Sequence, residues 1–145
     1  MEKAPSNAPV VRLLPRTRPV QVAAVYVIED DHSMRRALAR LLTCANWPVR
    51  TFESAESFLG EMDGLTQGCL IVDVGLLGMS GIDLLATLRH AGVRWPFIAM
   101  SGSHNENAER EALALGACAF LRKPFEPRAL LDAVAGALSK GSHHR

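Results

Sequence analysis

Two stretches of this sequence are apolar without interruption over the length of a strand: residues 22–28 (VAAVYVI) and residues 69–74 (CLIVDV), the second broken only by Asp73. A strand can be apolar on both faces only when something covers both, which points to the centre of a parallel sheet with helices above and below. The segments between support this. Met34, Ala37, Leu38, Leu41, Leu42 and Ala45 recur at the spacing of one helical stripe, with Ser33 as the expected cap. A short strand follows at residues 49–52, then a helix capped by Ser54 with the stripe Ala55, Phe58, Leu59 and Met62. Beyond Asp73 come a Gly-rich loop, a helix over 82–90 stopped by Gly92, and a strand over 96–100. A helix over 108–115 ending at Gly116 and a strand over 117–121 come next. The final helix has Pro127 in its first turn and the stripe Leu130, Val134, Ala137 and Leu138. Five β-α pairs in succession predict an α/β, doubly wound five-stranded parallel sheet with five helices.

Composition sets the limits around that core. The 145 residues are 48% hydrophobic and 21% charged, with a net charge of +1, as expected of one ordinary domain without metal or disulfide staples. So even a charge balance argues against a direct nucleic-acid surface or an anionic membrane surface. Apolar runs are strand-sized, and no secretory signal follows Lys3 and Arg12, so a cytoplasmic location is expected. Cys44, Cys69 and Cys118 lie too far apart for a zinc or redox motif and read as small core residues. Pro5, Pro9, Pro15 and Pro19 block regular structure, so residues 1–20 read as a flexible basic arm carrying Arg12, Arg16 and Arg18. The domain is read as residues 21–140, and residues 141–145 as a flexible tail.

In a doubly wound sheet, ligands sit beyond the C-terminal ends of the strands. Here those ends carry Glu29, Asp30 and Asp31 after the first strand and Asp73 at the third. Ser101 and Gly102 follow the fourth, and Lys123 and Pro124 the fifth. Singly, each has an ordinary reading: a solvated helix start, a turn serine, a surface lysine. Together they form a carboxylate cluster with one hydroxyl and one ammonium. Glu29, Asp30 and Asp73 would repel one another unless a proton or a cation intervenes. Mg²⁺ suits one or two carboxylates, several waters and a phosphate oxygen, and the backbone carbonyl of Gly75 would complete its shell. Such a site would let a free oxygen of Asp73 attack phosphorus while Lys123 and Ser101 hold the phosphoryl oxygens. His32 reads as an exposed first-turn residue, and His104, His143 and His144 have no partners at ligand spacing. Met62, Met79 and Met100 read as core or loop filler.

Over about residues 23–139 the chain resembles the receiver domains of two-component response regulators. The resemblance rests on VYVIEDD, LIVDVGLLGMSG, PFIAMSG and GACAFLRKPF, in that order; VRTFESAESFL is similar to the nitrogen-fixation transcriptional regulator subfamily. It implies a flavodoxin-like strand order 2-1-3-4-5, Asp73 as phosphoacceptor, and Glu29 and Asp30 as the acidic pair supporting Mg²⁺. It further implies Ser101 and Phe120 as switch residues, Lys123 as the phosphoryl-binding lysine, and a cis peptide bond before Pro124. The implied partners are a sensor histidine kinase or phosphotransfer protein and, on phosphorylation, a second copy of the chain. Catalysis would extend no further than the chain's own phosphorylation and dephosphorylation.

Three departures from the family pattern stand out. Leu77 stands where members usually carry proline, and Gly75 is smaller than the usual residue, leaving the site more open. Many relatives continue into a helix-turn-helix domain, whereas this sequence stops after the last helix, as a stand-alone receiver or a fragment would. Two rival readings follow. A pseudo-receiver would bind partners without phosphorylation. A phosphatase with an aspartyl nucleophile would need a second acid two residues further on, where this chain has Gly75.

Overall fold

The computed structural model describes residues 23–103 and 105–143; the arm read at 1–20, His104 and residues 144–145 lie outside them. Five strands, β1 (Ala24–Ile28), β2 (Val49–Phe52), β3 (Gly68–Asp73), β4 (Phe97–Ser101) and β5 (Ala119–Arg122), form one sheet. Its order is β2-β1-β3-β4-β5 and every neighbouring pair is parallel. Between the strands run α1 (His32–Cys44), α2 (Ala55–Glu61) with a 3₁₀ turn (Met62–Gly64), α3 (Gly81–His90) and α4 (Glu106–Ala114); α5 (Pro127–His143) closes the fold. The doubly wound sheet and the 2-1-3-4-5 order are as the sequence implied.

Side chains alternate across each strand, so the sheet feeds two cores. Tyr26, Ile28, Leu70, Val72 and Phe97 pack with Phe58 of α2 and Leu84 and Leu85 of α3. Val25, Val27, Cys69, Ile71 and Ile98 pack on the other side with Leu38 and Leu42 of α1 and Leu130 and Val134 of α5. β3 is buried along its whole length, which explains the apolar run that leads up to Asp73. Each fully buried Leu, Ile or Phe adds ~1.5–3 kcal/mol, so the end of β3, which carries Asp73, is anchored by the burial of the strand before it.

Several local expectations need correction. The N-cap of α1 is Asp31, not Ser33: its carboxylate accepts the Met34 N–H at 2.7 Å from an extended backbone. Ser33 lies inside the helix and is exposed. Ala37 is exposed rather than part of the buried stripe, which narrows to Leu38 and Leu42 with Met34 and Leu41 half-buried. Of the cysteines only Cys69 is a core residue; Cys44 and Cys118 are exposed. Burial pushes the Cys69 thiol up to about 12, so it stays protonated and apolar. α4 begins at Glu106, two residues before the expected start, because Asn105 caps it through the Ala108 N–H. α5 continues to His143, into the stretch read as a tail. Gly92 and Gly116 end α3 and α4 as expected, both with positive φ. Among the described residues no helix is long and apolar enough to cross a membrane.

Candidate functional site

The ends of β1 and β3 and the residue after β5 converge at the C-terminal edge of the sheet. Glu29 follows β1 and is 0% exposed. Its Oε1 accepts from the Lys123 ammonium at 2.6 Å and its Oε2 from the Asp31 N–H at 3.1 Å. Asp73, at the end of β3, is 7% exposed. Its Oδ2 lies 3.2 Å from Lys123 Nζ, and its Oδ1 accepts the Gly75 N–H at 2.9 Å. Lys123 thus bridges two carboxylates that lie 44 residues apart in sequence, and the bond that follows it, Lys123–Pro124, is cis.

Asp30 is half-buried beside them, with its Oδ2 accepting the Leu77 N–H at 3.1 Å. One oxygen each from Glu29, Asp30 and Asp73 lies within 4.8 Å of the others. Burial raises the Glu29 carboxyl above its ordinary value, and the charge of Asp73 acts in the same direction against Lys123 and the Asp31 N–H. Burial alone would lower Lys123. The hydrogen bond to Glu29 and the charge of Asp73 outweigh it, so its net shift is upward and it remains a cation. With all groups ionised, the three carboxylates exceed the one ammonium by two negative charges. An all-oxygen donor set with that excess fits a hard divalent cation such as Mg²⁺. Glu29 is the most deeply buried of the three acids.

Ser101 stands apart. It is 2% exposed, and its Oγ donates to the Ser103 carbonyl at 2.9 Å and accepts the Ser103 N–H at 3.2 Å. It belongs to the site through the backbone, where the Lys123 N–H donates to the Ser101 carbonyl at 2.8 Å. Phe120 is half-buried and pairs in register with Ala99, two residues before Ser101. Alternation therefore puts Phe120 and Ser101 on one face of the sheet. Asp73, two residues from Ile71, falls on the other.

The sequence did not reveal three supporting groups. Arg35 donates to the Glu29 carbonyl at 2.8 Å and lies 3.2 Å from His32 Nδ1, which confirms His32 as an exposed first-turn residue outside the cluster. Glu56, at the start of α2, accepts the Met79 N–H at 2.9 Å and so holds the loop after Asp73. Gly81 begins α3 so close to β3 that a Cβ there would lie 2.4 Å from the Asp73 carbonyl. Only the glycine had a local signal; the other two contacts end on backbone groups, which carry no residue signature.

Comparison with known proteins agrees with this geometry. The family described as "Response regulator receiver domain" matches residues 25–135. The transcriptional regulatory protein FixJ of Bradyrhizobium diazoefficiens is 38% identical over 114 residues, 79% of this chain and 56% of that protein. The transcriptional regulatory protein TdiR of Thauera aromatica is 37% identical over 123 residues, 85% of this chain and 54% of that one. The chain therefore spans little more than half the length of these relatives. The crystal structure of FixJ-N superposes with a TM-score of 0.78 at 30% identity, covering 87% of this chain and 98% of that one. Family match, relatives and sheet order concur: the chain belongs to the response-regulator receiver domains, the signalling modules of two-component phosphorelays.

Proposed function

We propose that this chain accepts a phosphoryl group on Asp73 from a sensor histidine kinase or phosphotransfer protein and changes its surface in response. The observation that carries this reading is Asp73 itself: a carboxylate at the end of a fully buried strand, 3.2 Å from an ammonium and grouped with two further acids. An Asp73 oxygen attacks phosphorus as the bond to the donor breaks, and the donor leaves with the electron pair of that bond. Lys123 transfers part of its pairing from Asp73 to the phosphoryl oxygens. Asp30, Asp73 and the Gly75 carbonyl, with Glu29 behind them, would hold Mg²⁺, which when bound supplies charge neutralisation at the phosphoryl group. The only chemistry assigned to the chain is formation and loss of its own acyl phosphate.

The surface change follows from the Ser101 contacts. A phosphoryl oxygen is a stronger acceptor than the Ser103 carbonyl that Ser101 now uses, because a charged acceptor roughly doubles a hydrogen bond. Ser101 would exchange one for the other, and Phe120, on the same face beside the small Ala99, would move into the space released. The altered face, built from α4, β5 and α5, would be read by a second copy of the chain or by an output partner. The relatives are named transcriptional regulators and are longer, so an output through transcription is proposed, with no nucleic-acid contact by this domain. Labelling with acetyl phosphate and Mg²⁺ tests the core of the reading: incorporation into the wild type is expected. A chain that takes up no phosphate and still binds its partner would instead be the pseudo-receiver.

A further inference from the structure

The loop after Asp73 is tied down by carboxylates at three successive odd positions. The Gly75 N–H goes to Asp73 Oδ1 at 2.9 Å, the Leu77 N–H to Asp30 Oδ2 at 3.1 Å and the Met79 N–H to Glu56 Oε2 at 2.9 Å. The first two acids belong to the charged cluster. Glu56 does not: it sits on α2, across the loop, and is exposed. Gly78 closes this contact with φ +73, and a Cβ there would lie 2.9 Å from the same Glu56 oxygen. The Met79 N–H lowers the Glu56 carboxyl, as a hydrogen bond to the ionised form does. Meanwhile the Leu77 side chain is 79% exposed, so packing does not hold the loop at that point.

We propose that Glu56 and the Leu77 N–H are positioning groups that preset the loop for the metal ion, Glu56 from outside the site and Leu77 by orienting Asp30. The inference rests on the metal reading above, in which Asp30 and the Gly75 carbonyl are both ligands. One oxygen of Asp30 accepts from the Leu77 N–H, and the carboxylate keeps a second oxygen with which to hold the ion. The same hydrogen bond fixes the segment bearing Gly75. Ordering both ligands before the ion arrives removes that ordering from the binding step, the role of hydrogen-bond partners behind metal ligands generally. Leu77 can serve this purpose because it has an N–H; a proline at this position has none.

The test is a MgCl₂ titration of the ¹⁵N-labelled chain, followed by backbone amide shifts, with urea unfolding in the absence of metal measured alongside. Leu77→Pro and Glu56→Ala should each weaken Mg²⁺ by about tenfold, within the range for such partners. Leu77→Ala, which keeps the N–H, and Glu56→Gln, which keeps an acceptor oxygen, should stay within about twofold of wild type. Rescue by glutamine separates positioning from charge: equal weakening in both Glu56 variants would overturn the role given to the hydrogen bond. Tighter binding by Leu77→Pro would make the Leu77 N–H a competitor for Asp30 and overturn its orienting role. Should Leu77→Pro not fold, the Glu56 pair decides. Wild-type affinity in Glu56→Ala rejects the proposal while leaving the metal reading in place, whereas no saturable Mg²⁺ response in the wild type rejects both.

Discussion

Asp73 is held in two different ways on its two sides. Toward β1 and β5 its Oδ2 faces Lys123, which is itself bound to the fully buried Glu29, and all three stand on or next to strands of the sheet. Toward α3 its Oδ1 meets the Gly75 N–H, the first contact of a largely exposed loop held by single hydrogen bonds. Moving the first side requires unpacking a strand, whereas each loop contact is a single hydrogen bond to a carboxylate, contributing ~1.5–3 kcal/mol. The charges that would meet a phosphoryl group are therefore fixed in advance, and adjustment is left to the loop and to the Ser101 turn.

The largest effect belongs to the rigid side. Asp73→Asn keeps the shape of the side chain and removes the carboxylate proposed as the nucleophile, so labelling by acetyl phosphate should be lost altogether. Wild-type labelling of the variant would move the acceptor elsewhere. Lys123→Met comes next, with labelling slowed on the order of 100-fold, as for loss of one preorganised donor. It also strands Glu29 and should destabilise the fold by about 3 kcal/mol, the scale for breaking a buried pair. This loss has a pH signature. Glu29 titrates above its ordinary 4.5 because it is buried, and it rises further without the ammonium. The folded state then holds a proton the unfolded state has released, so stability falls as pH rises above 4.5. Urea unfolding should show a larger deficit at pH 8 than at pH 5, and a deficit equal at both would mean that Glu29 does not carry it. In the wild type, the raised Lys123 adds stability that is complete below its unfolded 10.5 and is lost as pH climbs through its folded value.

The rigid side is also the part that was legible in the sequence. Glu29, Asp30, Asp73 and Lys123 each end or follow a run whose apolar pattern marks a strand, and parallel strands bring their C-terminal ends to one edge. The loop side was not legible. Glu56 reaches Met79 over 23 residues and Asp30 reaches Leu77 over 47, and in both contacts one partner is a main-chain N–H that every residue but proline possesses. Ser33 and Ala37 misled for a related reason. Several residues near a helix start can cap it, and the better acceptor, Asp31, stands two positions earlier; a small alanine fits the buried stripe and the exposed face equally well.

Asp30 joins the two sides, and its effect should be intermediate. Mg²⁺ at ten times its dissociation constant should stabilise the wild type by ~1.4 kcal/mol, seen as an upward melting shift that Asp30→Ala abolishes. An undiminished shift in the variant would exclude Asp30 as a ligand. Labelling should fall but persist, since Asp73 and Lys123 remain in place.

The smallest effect on labelling is expected at Ser101, and that is what makes it informative. Its hydroxyl lies on the opposite sheet face from Asp73 by strand alternation and spends its proton on the Ser103 carbonyl. Removing it leaves the nucleophile and the lysine untouched, so Ser101→Ala should take up phosphate at close to the wild-type rate. What it removes is the group proposed to interact differently in two states, and without such a difference phosphorylation would not shift the population of the face carrying Phe120. Sedimentation of wild type and variant, each with and without beryllofluoride as a phosphoryl mimic, reads this directly. Association of the wild type should rise with the mimic while the variant responds weakly. An equal response in both would place the coupling in the β3–α3 loop rather than in the Ser101 turn, and no response in either would mean that the face is read by a partner other than a second copy.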